Sequence, residues 1–562
     1  MPKITFSHNF LWISFRRNFA FLLGLSLSLF IFNFNTAAVF ALYTPTLSAS
    51  VDQANLQVNG NSVINSIDKT TEVPLNLIVN TNNKTGYTAT LNTETDETAL
   101  VNADSVSGAK IDSISANLTL NNLPNNTWGY KFGTSMNYAP IPALSIPAQI
   151  LQTAGKTNGN ESNQLSIGMK LSDNLESGRY TNKLIFSFLT NNYDHIAIMT
   201  EGPDFNKKLK ALETATNKIE HFKKSTVAPA ASMNAVNIED EESDYKIKLW
   251  LDSTDKTAYY YAEPEKVYLN TDSSKMFYTE YVNIIRNILE INLSNFDTSK
   301  VTNMQSMFHG ISNLASLNLS SFDTSKVTDM RDMFYGMKNL TSLNLSSFDT
   351  SKVENMYAMF RYMSNLASLN LSSFDTSKVT DMSDMFYGME NLTSLNLSNF
   401  NTSNVRYMQW MFRNMNLTSL NLSNFNTSKV TNMGYMFDGM RNLTTLDLSN
   451  FDTSNVTEMS GMFRSTPNLT TLNLSNFNTS KVINMSGMFY LYNYDISDDK
   501  LKTIYVNNDF NTTKLTNFSG MFENRRKLRG GNGSYLTDPS TADKTWLRVD
   551  RPGVQGYFTR KP

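Results

Sequence analysis

The sequence of 562 residues contains no cysteine. This absence excludes disulfide bonds, structural zinc sites with thiolate ligands and cysteine nucleophiles. Histidine is scarce: its four residues are His8, His195, His221 and His309, and none pairs with another at the spacing of metal ligands. These absences argue against a zinc enzyme and against a serine–histidine–aspartate set. We therefore predict no enzymatic activity, no catalytic residues, no metal and no cofactor.

Charged residues are also few. Charged residues make up 17% of the chain, the net charge is -2 and the isoelectric point is about 6.2. A nearly neutral chain has no general attraction for nucleic acid, which is not a predicted partner. The short basic run 525–529 is interpreted as a solvated loop. The abundance of Asn, Ser and Thr predicts a polar surface that is compatible with an exported protein.

Long apolar runs are missing except near the N-terminus. Lys3, Arg16 and Arg17 precede the apolar run Phe19–Phe32, and small residues follow it up to Ala41. The run is shorter than the roughly 20 residues of a membrane span. The pattern predicts a secretory signal at 1–41, with an uncleaved anchor as the alternative. No later stretch is long enough to cross a bilayer, and the signal predicts a secreted protein.

One motif dominates what the sequence does contain. The copy that starts at Leu314 reads LASLNLSSFDTSKVTDMRDMFYGMKN, and the next copy starts at Leu340. One phenylalanine per copy marks the series: Phe296, Phe322, Phe348, Phe374, Phe400, Phe425, Phe451 and Phe477. The step is 26 residues except once, where one residue is missing before Leu417, and a degenerate ninth copy follows at Phe510. Self-similarity at this period predicts a solenoid.

Each copy combines three local patterns. Leu317 and Leu319 alternate as in a strand with one buried face. Asp323, Thr324 and Ser325 form a turn signal, because their short polar side chains bond to nearby backbone. The last pattern is an apolar stripe at helical spacing, formed by Met330, Met333, Phe334 and Met337. One copy is therefore predicted to be a strand–turn–helix coil that is stable only when it stacks on its neighbours.

The chain as a whole is predicted to belong to the α+β class with several domains. Alternating rows such as Leu165, Ile167 and Met169 favour an N-terminal antiparallel β-sandwich, followed by a leucine-rich-repeat-like solenoid of strand–turn–helix coils. The closing segment of the sandwich region, GRYTNKLIFSFLTN, resembles the last strand of the immunoglobulin-like modules of bacterial surface proteins. The predicted divisions are the signal (1–41), an immunoglobulin-like β-sandwich (42–195), a helical spacer with an acidic linker (196–244), an N-terminal cap (245–287), the 26-residue repeats (288–490) and a degenerate repeat with a C-terminal cap (491–562).

The repeated L-x-x-L-x-L-S-x-F-D-T-S-x-V-x-x-M-x-x-M-F, over about 272–522, is similar to the BspA-like leucine-rich-repeat surface proteins of bacteria. Two departures stand out: Phe322 and its equivalents replace the usual asparagine, and Met337 and its equivalents replace a frequent cysteine. The resemblance implies export, display on the cell surface and binding to a protein or glycan on host or neighbouring cells. The alternative function is a structural stalk or coat component with no specific ligand.

Two sets of residues are candidates for partner binding. The first lies where the copies differ and contains residue types that anchor interfaces: Tyr387, Arg406, Tyr407, Trp410, Arg413 and Tyr435. The second is an outward row of small polar groups that includes Asn318, Asn344, Asn370 and Asn396. For this row the alternative is that the side chains only keep the array soluble and stackable. Tyr335, Arg361 and Tyr362 also vary between copies.

Overall fold

The computed structural model describes residues 3–5, 44–279 and 285–562. The chain forms two compact units, the first extending to His195 and the second running from Ile196 to Pro562. The predicted signal at 1–41, including the apolar run, lies outside the described residues apart from residues 3–5. Its cleavage after Ala41 therefore stays a prediction.

The described residues of the first unit form strands, one short α-helix and a 3-10 turn at Leu120–Asn122. Its elements are β1 (Lys3–Thr5), β2 (Leu47–Val51), β3 (Gln57–Asn59), α1 (Gly60–Ile64), β4 (Thr70–Thr81), β5 (Tyr87–Thr93), β6 (Leu100–Asn102), β7 (Lys110–Ser113), β8 (Leu118–Thr119), β9 (Thr127–Phe132), β10 (Asn137–Tyr138), β11 (Ala148–Gln152), β12 (Glu161–Lys170), β13 (Tyr180–Thr181) and β14 (Leu184–Thr190). Neighbouring strands are mostly antiparallel, whereas β7 and β9 run parallel.

Two sheets of this unit enclose one hydrophobic core. The larger sheet has the order β13-β6-β7-β9-β12-β4-β2, and the smaller has the order β11-β5-β14. Leu75 and Leu165 face the core from the larger sheet, and Tyr87 and Phe188 face it from the smaller one. Trp128 is fully buried and donates its indole N–H to a backbone carbonyl, as a core aromatic must.

The second unit has one described α-helix and many short strands. Its elements are α2 (Gly202–Ala211), β15 (His221–Lys224), β16 (Val236–Asn237), β17 (Lys248–Asp252), β18 (Thr257–Tyr261), β19 (Val267–Tyr268), β20 (Glu290–Ile291), β21 (Phe296–Asp297), β22 (Ser419–Leu420), β23 (Thr445–Leu446), β24 (Thr471–Asn473), β25 (Thr503–Val506) and β26 (Phe558–Arg560). It opens with α2 and a sheet of order β16-β17-β18-β15-β20.

The helix in this opening region is shorter than its apolar spacing predicts. The spacing continues over 203–224, but α2 ends at Ala211 and the last four of those residues form β15. Phe205 from the helix and Phe222 from the strand meet edge to face, with ring centroids 5.6 Å apart. The apolar residues of the helix and of the strand therefore pack in one core. The acidic segment 239–244 is also folded, because the buried Asp244 carboxylate accepts a backbone N–H at 2.9 Å.

The 26-residue copies stack on one another, and we call residues 288–522 the repeat stack. The predicted fold class, an α+β protein with a leucine-rich-repeat-like solenoid of strand–turn–helix coils, is wrong. Residues 288–490 contain no helix, and the leucine segments form regular strands only at β20, β22, β23 and β24. The copies consist of turns and short extended segments.

The apolar stripe that predicts a helix is a series of turns. Its methionines and phenylalanine are fully buried, but of these four residues only Met333 and Met337 donate to carbonyl groups of their own copy, and the alternate N–H groups bond to the next copy. Met330, Asp332, Phe334 and Gly336 donate to the carbonyl oxygens of Asn355, Tyr357, Met359 and Arg361, at 2.8–3.2 Å. Asp332 and Gly336 have φ of 54° and 71°, left-handed conformations that interrupt a helix. Hydrogen bonds between copies therefore satisfy these four backbone N–H groups.

Two further links repeat at every copy. A single parallel bridge joins equivalent residues in the order Asp272, Asn303, Asp329, Asn355, Asp381, Tyr407, Asn432, Glu458, Asn484 and Asn517. A buried threonine provides the other link. The Thr324 hydroxyl donates to the Asp349 carbonyl at 2.9 Å and accepts the Asp349 N–H at 2.8 Å. Each threonine thus satisfies two polar groups of the following copy.

Side chains of one type also line up inside the stack. Successive phenylalanines from Phe277 to Phe522 stack with ring centroids 5.1–6.0 Å apart and planes within 4–11°. Leu317, Leu343 and Leu369 are 8–9% exposed and belong to the same core. The copies therefore share one continuous interior, as stacking requires.

The C-terminal end of the repeat stack contains a buried ion pair. Strands β24, β25 and β26 form a parallel sheet beside it. Arg525 is completely buried, and its Nη1 lies 2.8 Å from the Asp499 carboxylate. The prediction of a solvated loop over 525–529 is therefore wrong at this residue.

Candidate functional site

Because the copies stack in register, equivalent side chains form rows along the repeat stack. The fourth residue of D-T-S-K is lysine in most copies, and we call the set the lysine row: Lys300, Lys326, Lys352, Lys378, Lys429, Lys481 and Lys514. All except Lys300 are exposed, and Asn404 and Asn455 interrupt the row. Neighbouring parallel segments lie about 4.8 Å apart. The row therefore presents positive charge at intervals of roughly one copy.

An open groove of about 310 Å³ crosses the lysine row in the middle of the repeat stack. Its lining residues are Glu354, Lys378, Thr380, Asn404, Arg406 and Lys429. We call this surface the basic groove, since three of the six side chains are cations and one is an anion. Lys429 donates to the Asn404 side chain at 2.7 Å. Lys378 and Arg406 make no ion pair with any residue that the structure describes.

Acidic residues stand beside the lysine row, and asparagine replaces them in two of the copies that line the basic groove, those of Arg406 and Lys429. The first residue of D-T-S-K runs through the copies as Asp297, Asp323, Asp349, Asp375, Asn401, Asn426, Asp452, Asn478 and Asn511. Either side chain makes the same turn: Asp323 accepts the Ser325 N–H at 2.9 Å, and Asn401 accepts the Ser403 N–H at 3.1 Å. The amide keeps the turn and removes the negative charge.

Tyr407 is the exception in the row of bridge residues. At the other eight positions from Asn303 to Asn517, a side-chain oxygen accepts the backbone N–H two residues later, as Asn355 does at 2.9 Å. A tyrosine hydroxyl is too far from its own backbone to do this. The Tyr407 side chain is instead 43% exposed. This copy gives up a turn bond and presents an aromatic ring to solvent.

Arg406 is a second exception in the same copy. Most copies have threonine at this position, whose hydroxyl donates to a carbonyl of the preceding copy, as Thr380 does to Glu354 at 3.2 Å. The arginine side chain is exposed instead. This is also the copy that lacks one residue before Leu417. The most irregular copy therefore contributes to the basic groove.

The structure separates the six variable residues predicted to bind a partner. Arg406 and Tyr407 are exposed neighbours. The other four, Tyr387, Trp410, Arg413 and Tyr435, are buried or half-buried. These four pack among charged and aromatic side chains that, together with Asp332, Arg361, Asp384, Asp438 and Arg464, we call the charged column.

Side chains of the charged column are committed to one another. Arg361 Nη1 lies 2.7 Å from Asp384 Oδ1, and Arg413 Nε lies 2.8 Å from Asp438 Oδ2. The two guanidinium groups lie 4.6 and 4.9 Å from the ring centroid of Tyr387, which is 7% exposed. These contacts are cation–π interactions in a largely desolvated setting. The column therefore joins copies internally and offers little free surface.

Burial has the largest effect on the pKa values of the aspartates in the charged column. Removal from water raises the pKa of Asp384 to about 6, and the nearby Arg361 and Arg413 only partly oppose the shift. The pKa of Asp332 and that of Asp438 are also raised to about 6 by burial. Neither oxygen of Asp384 has an aligned hydrogen bond from a described residue, so the ion pair does not fully replace hydration.

The outward asparagine row has a structural role. Asn318, Asn344, Asn370 and Asn396 are exposed, and each side-chain oxygen accepts the N–H of the serine two residues later at 3.0–3.1 Å. These asparagines therefore hold the turns that follow the leucine segments. Their contribution to partner binding stays a prediction.

Sequence reasoning missed most of the basic groove. It selected Arg406 but not Lys378, Lys429, Glu354 or the polar residues between them. A signal was present in the sequence, because the aspartates of the turn become Asn401 and Asn426 where Arg406 interrupts the threonine row. Charge changes at equivalent positions would have located the groove without a structure.

Other chemistry in the described residues is sparse. No group of three or more histidine, aspartate and glutamate side chains in the described ranges could hold a metal ion. His309 stacks on Tyr335 with ring centroids 4.3 Å apart, and burial lowers its pKa to about 4. No helix in the part of the chain that the structure describes is long and apolar enough to cross a membrane.

Comparison with known families adds one finding. Three overlapping segments match one family model. The family is described as Mycoplasma protein of unknown function, DUF285, and the matched segments are 271–391, 336–445 and 436–546. These segments include the basic groove and the charged column. The matches support a bacterial surface repeat protein of unknown function, and they do not identify a BspA-like protein. No curated protein and no solved structure matches the chain.

Proposed function

We propose that this is an exported bacterial surface protein whose repeat stack binds a protein or glycan on host or neighbouring cells. The observation that carries the proposal is the exposed side chain of Tyr407 at a position where the equivalent residues hold a turn. Its copy forgoes a hydrogen bond of about 0.5–1.5 kcal/mol that the equivalent copies make. In exchange it exposes an aromatic ring next to the exposed Arg406.

This exchange has a simple interpretation. A local rule that eight other copies obey is broken, and the Tyr407 side chain makes no hydrogen bond or ring contact with a described residue in return, which is typical of a functional position. Tyrosine and arginine are residue types that anchor interfaces. The DUF285 matches support surface display, and the predicted signal at 1–41 supports export.

The first test replaces Tyr407 with the residue type that the other copies favour. Tyr407→Asn supplies the missing turn acceptor and removes the ring. We expect at least tenfold weaker binding of the labelled full chain to host epithelial or neighbouring bacterial cells. Thermal stability should stay the same or rise, by an amount equivalent to about 1 kcal/mol, because one turn bond is gained.

Tyr535→Asn is the matched control, since Tyr535 is 55% exposed and lies outside the repeat stack. It should leave cell binding unchanged. Unaltered binding of the Tyr407→Asn variant would contradict the proposal. If the wild-type chain binds no cells and instead assembles into ordered particles by light scattering, the structural stalk or coat is the better description.

A further inference from the structure

The acidic and basic rows differ between the two ends of the repeat stack. In the earlier copies each lysine has an aspartate three residues before it, as Lys326 has Asp323 and Lys352 has Asp349. From Asn401 onward the acidic residue is replaced by asparagine in all but one of the copies. Positive charge is therefore balanced in the copies up to Lys378 and unbalanced at the lysines that follow Asn401.

The replacement isolates charge as the property that changes. Asn426 accepts the Ser428 N–H at 3.0 Å, and Asp349 accepts the Ser351 N–H at 2.9 Å. Since the turn is the same, folding gives no reason to prefer the amide. Removing a carboxylate beside Arg406 and Lys429 instead raises the local positive potential, which attracts an anionic ligand.

The shape of this surface indicates an extended ligand. The cations follow the axis along which the copies stack, with one position per copy, and the basic groove is open rather than enclosed. The other lining groups are the Thr380 hydroxyl, the Asn404 amide and one carboxylate, that of Glu354. Such a combination suits a chain that carries both anionic groups and many hydroxyl groups.

A single-stranded nucleic acid fits these features less well. Its binding sites stack successive bases on several aromatic side chains. Among the described residues that line the basic groove and their neighbours in sequence, Tyr407 is the one exposed large aromatic residue. An extended sugar chain needs no such series of rings.

We infer that the basic groove binds an anionic polysaccharide, with Lys378, Arg406 and Lys429 holding its sulfate or carboxylate groups. Arginine binds such planar or tetrahedral oxyanions through paired N–H donors, and lysine acts as a point charge. This inference rests on the proposed function and names the chemistry of the partner.

The test measures binding of the full chain to dextran sulfate by calorimetry at several salt concentrations, with uncharged dextran for comparison. The variant Arg406→Gln with Lys429→Gln should bind at least tenfold more weakly, and the salt dependence should become shallower because fewer counterions are displaced. The control pair Lys326→Gln with Lys352→Gln removes two exposed lysines of the same row that have aspartate partners. It should change affinity by less than about twofold.

A second variant tests charge without removing any cation. Asn401→Asp with Asn426→Asp keeps both turn acceptors and should weaken dextran sulfate binding about tenfold without lowering the melting temperature. Equal losses in the control pair, equal binding of uncharged dextran, or no binding of dextran sulfate would each overturn the inference. Tighter binding of a single-stranded DNA of matched charge would overturn it in favour of nucleic acid.

Cell binding separates this inference from the proposal on which it rests. Excess dextran sulfate should compete with attachment of the wild-type chain to cells. If attachment is lost in Tyr407→Asn but is insensitive to dextran sulfate, the polysaccharide inference fails and the proposed surface function stands. If the chain attaches to no cells yet binds dextran sulfate with the expected variant pattern, the proposed function fails instead.

Discussion

At the scale of single residues, aspartate has two opposite electrostatic roles in this chain. Asp323 is exposed, and the hydrogen bonds from Ser325 hold its pKa below the usual range. Asp384 is fully buried, and loss of hydration raises its pKa to about 6. The sequence motif around each residue gives no sign of this difference. It arises from how much water the packed stack leaves around each carboxyl group.

The buried carboxyl group predicts an unusual pH dependence. Because the folded-state pKa of Asp384 lies above its unfolded value of 3.8, the folded chain holds the proton more tightly. Its contribution to the free energy of unfolding is therefore largest at low pH and falls as pH rises from about 4 to 6. We expect Asp384→Asn to remove about 2–3 kcal/mol of this fall, measured by urea unfolding at pH 4 and pH 7.

Asp323→Asn gives the opposite sign and serves as the control. The lowered pKa of Asp323 means that its contribution is present above the unfolded pKa and is lost as pH falls. Relative to the wild-type chain, this variant should therefore lose more stability at pH 7 than at pH 4. An Asp384→Asn variant whose pH profile matches the wild-type profile would show that the buried carboxyl group does not titrate as the packing requires.

At the scale of elements, the sequence predicts which residues are buried but not the backbone that buries them. Met330, Met333, Phe334 and Met337 are all inside, as their spacing indicates. The same spacing suits a helix, and apolar periodicity alone does not distinguish a helix from turns whose N–H groups bond to the next copy. Glycine at position 336, and again at equivalent positions in other copies, was the available sign that left-handed backbone recurs there.

The buried threonines show how strongly these copies depend on each other. The Thr376 hydroxyl donates to the Asn401 carbonyl at 3.0 Å and accepts the Asn401 N–H at 2.8 Å. Thr376→Val keeps the shape but leaves both backbone groups without that partner, so we expect a loss of about 2–4 kcal/mol in the free energy of unfolding. Thr376→Ser keeps the hydroxyl and should lose about 1 kcal/mol. Chemical unfolding followed by circular dichroism distinguishes them, and equal losses would contradict this role.

At the scale of the whole molecule, the period of the sequence predicts stacking, and residue types predict part of the site. Arg406 and Tyr407 are exposed as a binding role requires, whereas Trp410 and Arg413 are drawn into the charged column. Sequence spacing could not separate these pairs, because exposure depends on which copies lie above and below. The lysines of the basic groove escaped notice because each resembles its equivalents in other copies.

Stacking in register predicts that a complete copy can be removed. Deletion of 314–339 joins two equivalent boundaries and leaves the basic groove intact. We expect a soluble chain with cooperative unfolding, a small decrease in melting temperature and unchanged affinity for dextran sulfate. Deletion of 314–326 removes half a copy, brings unlike residues into the same row and should prevent folding. If the complete-copy deletion also prevented folding, the result would contradict the additive stability of such arrays.

The single bridge that recurs between equivalent residues of successive copies has a genetic consequence. Because each junction is made by the same backbone bridge, a chain in which one copy has been duplicated or lost can stack in the same way. Such a chain would still meet compatible partners on both sides. A population of cells could thus vary the reach of this protein in inherited steps, without having to evolve a new interior each time.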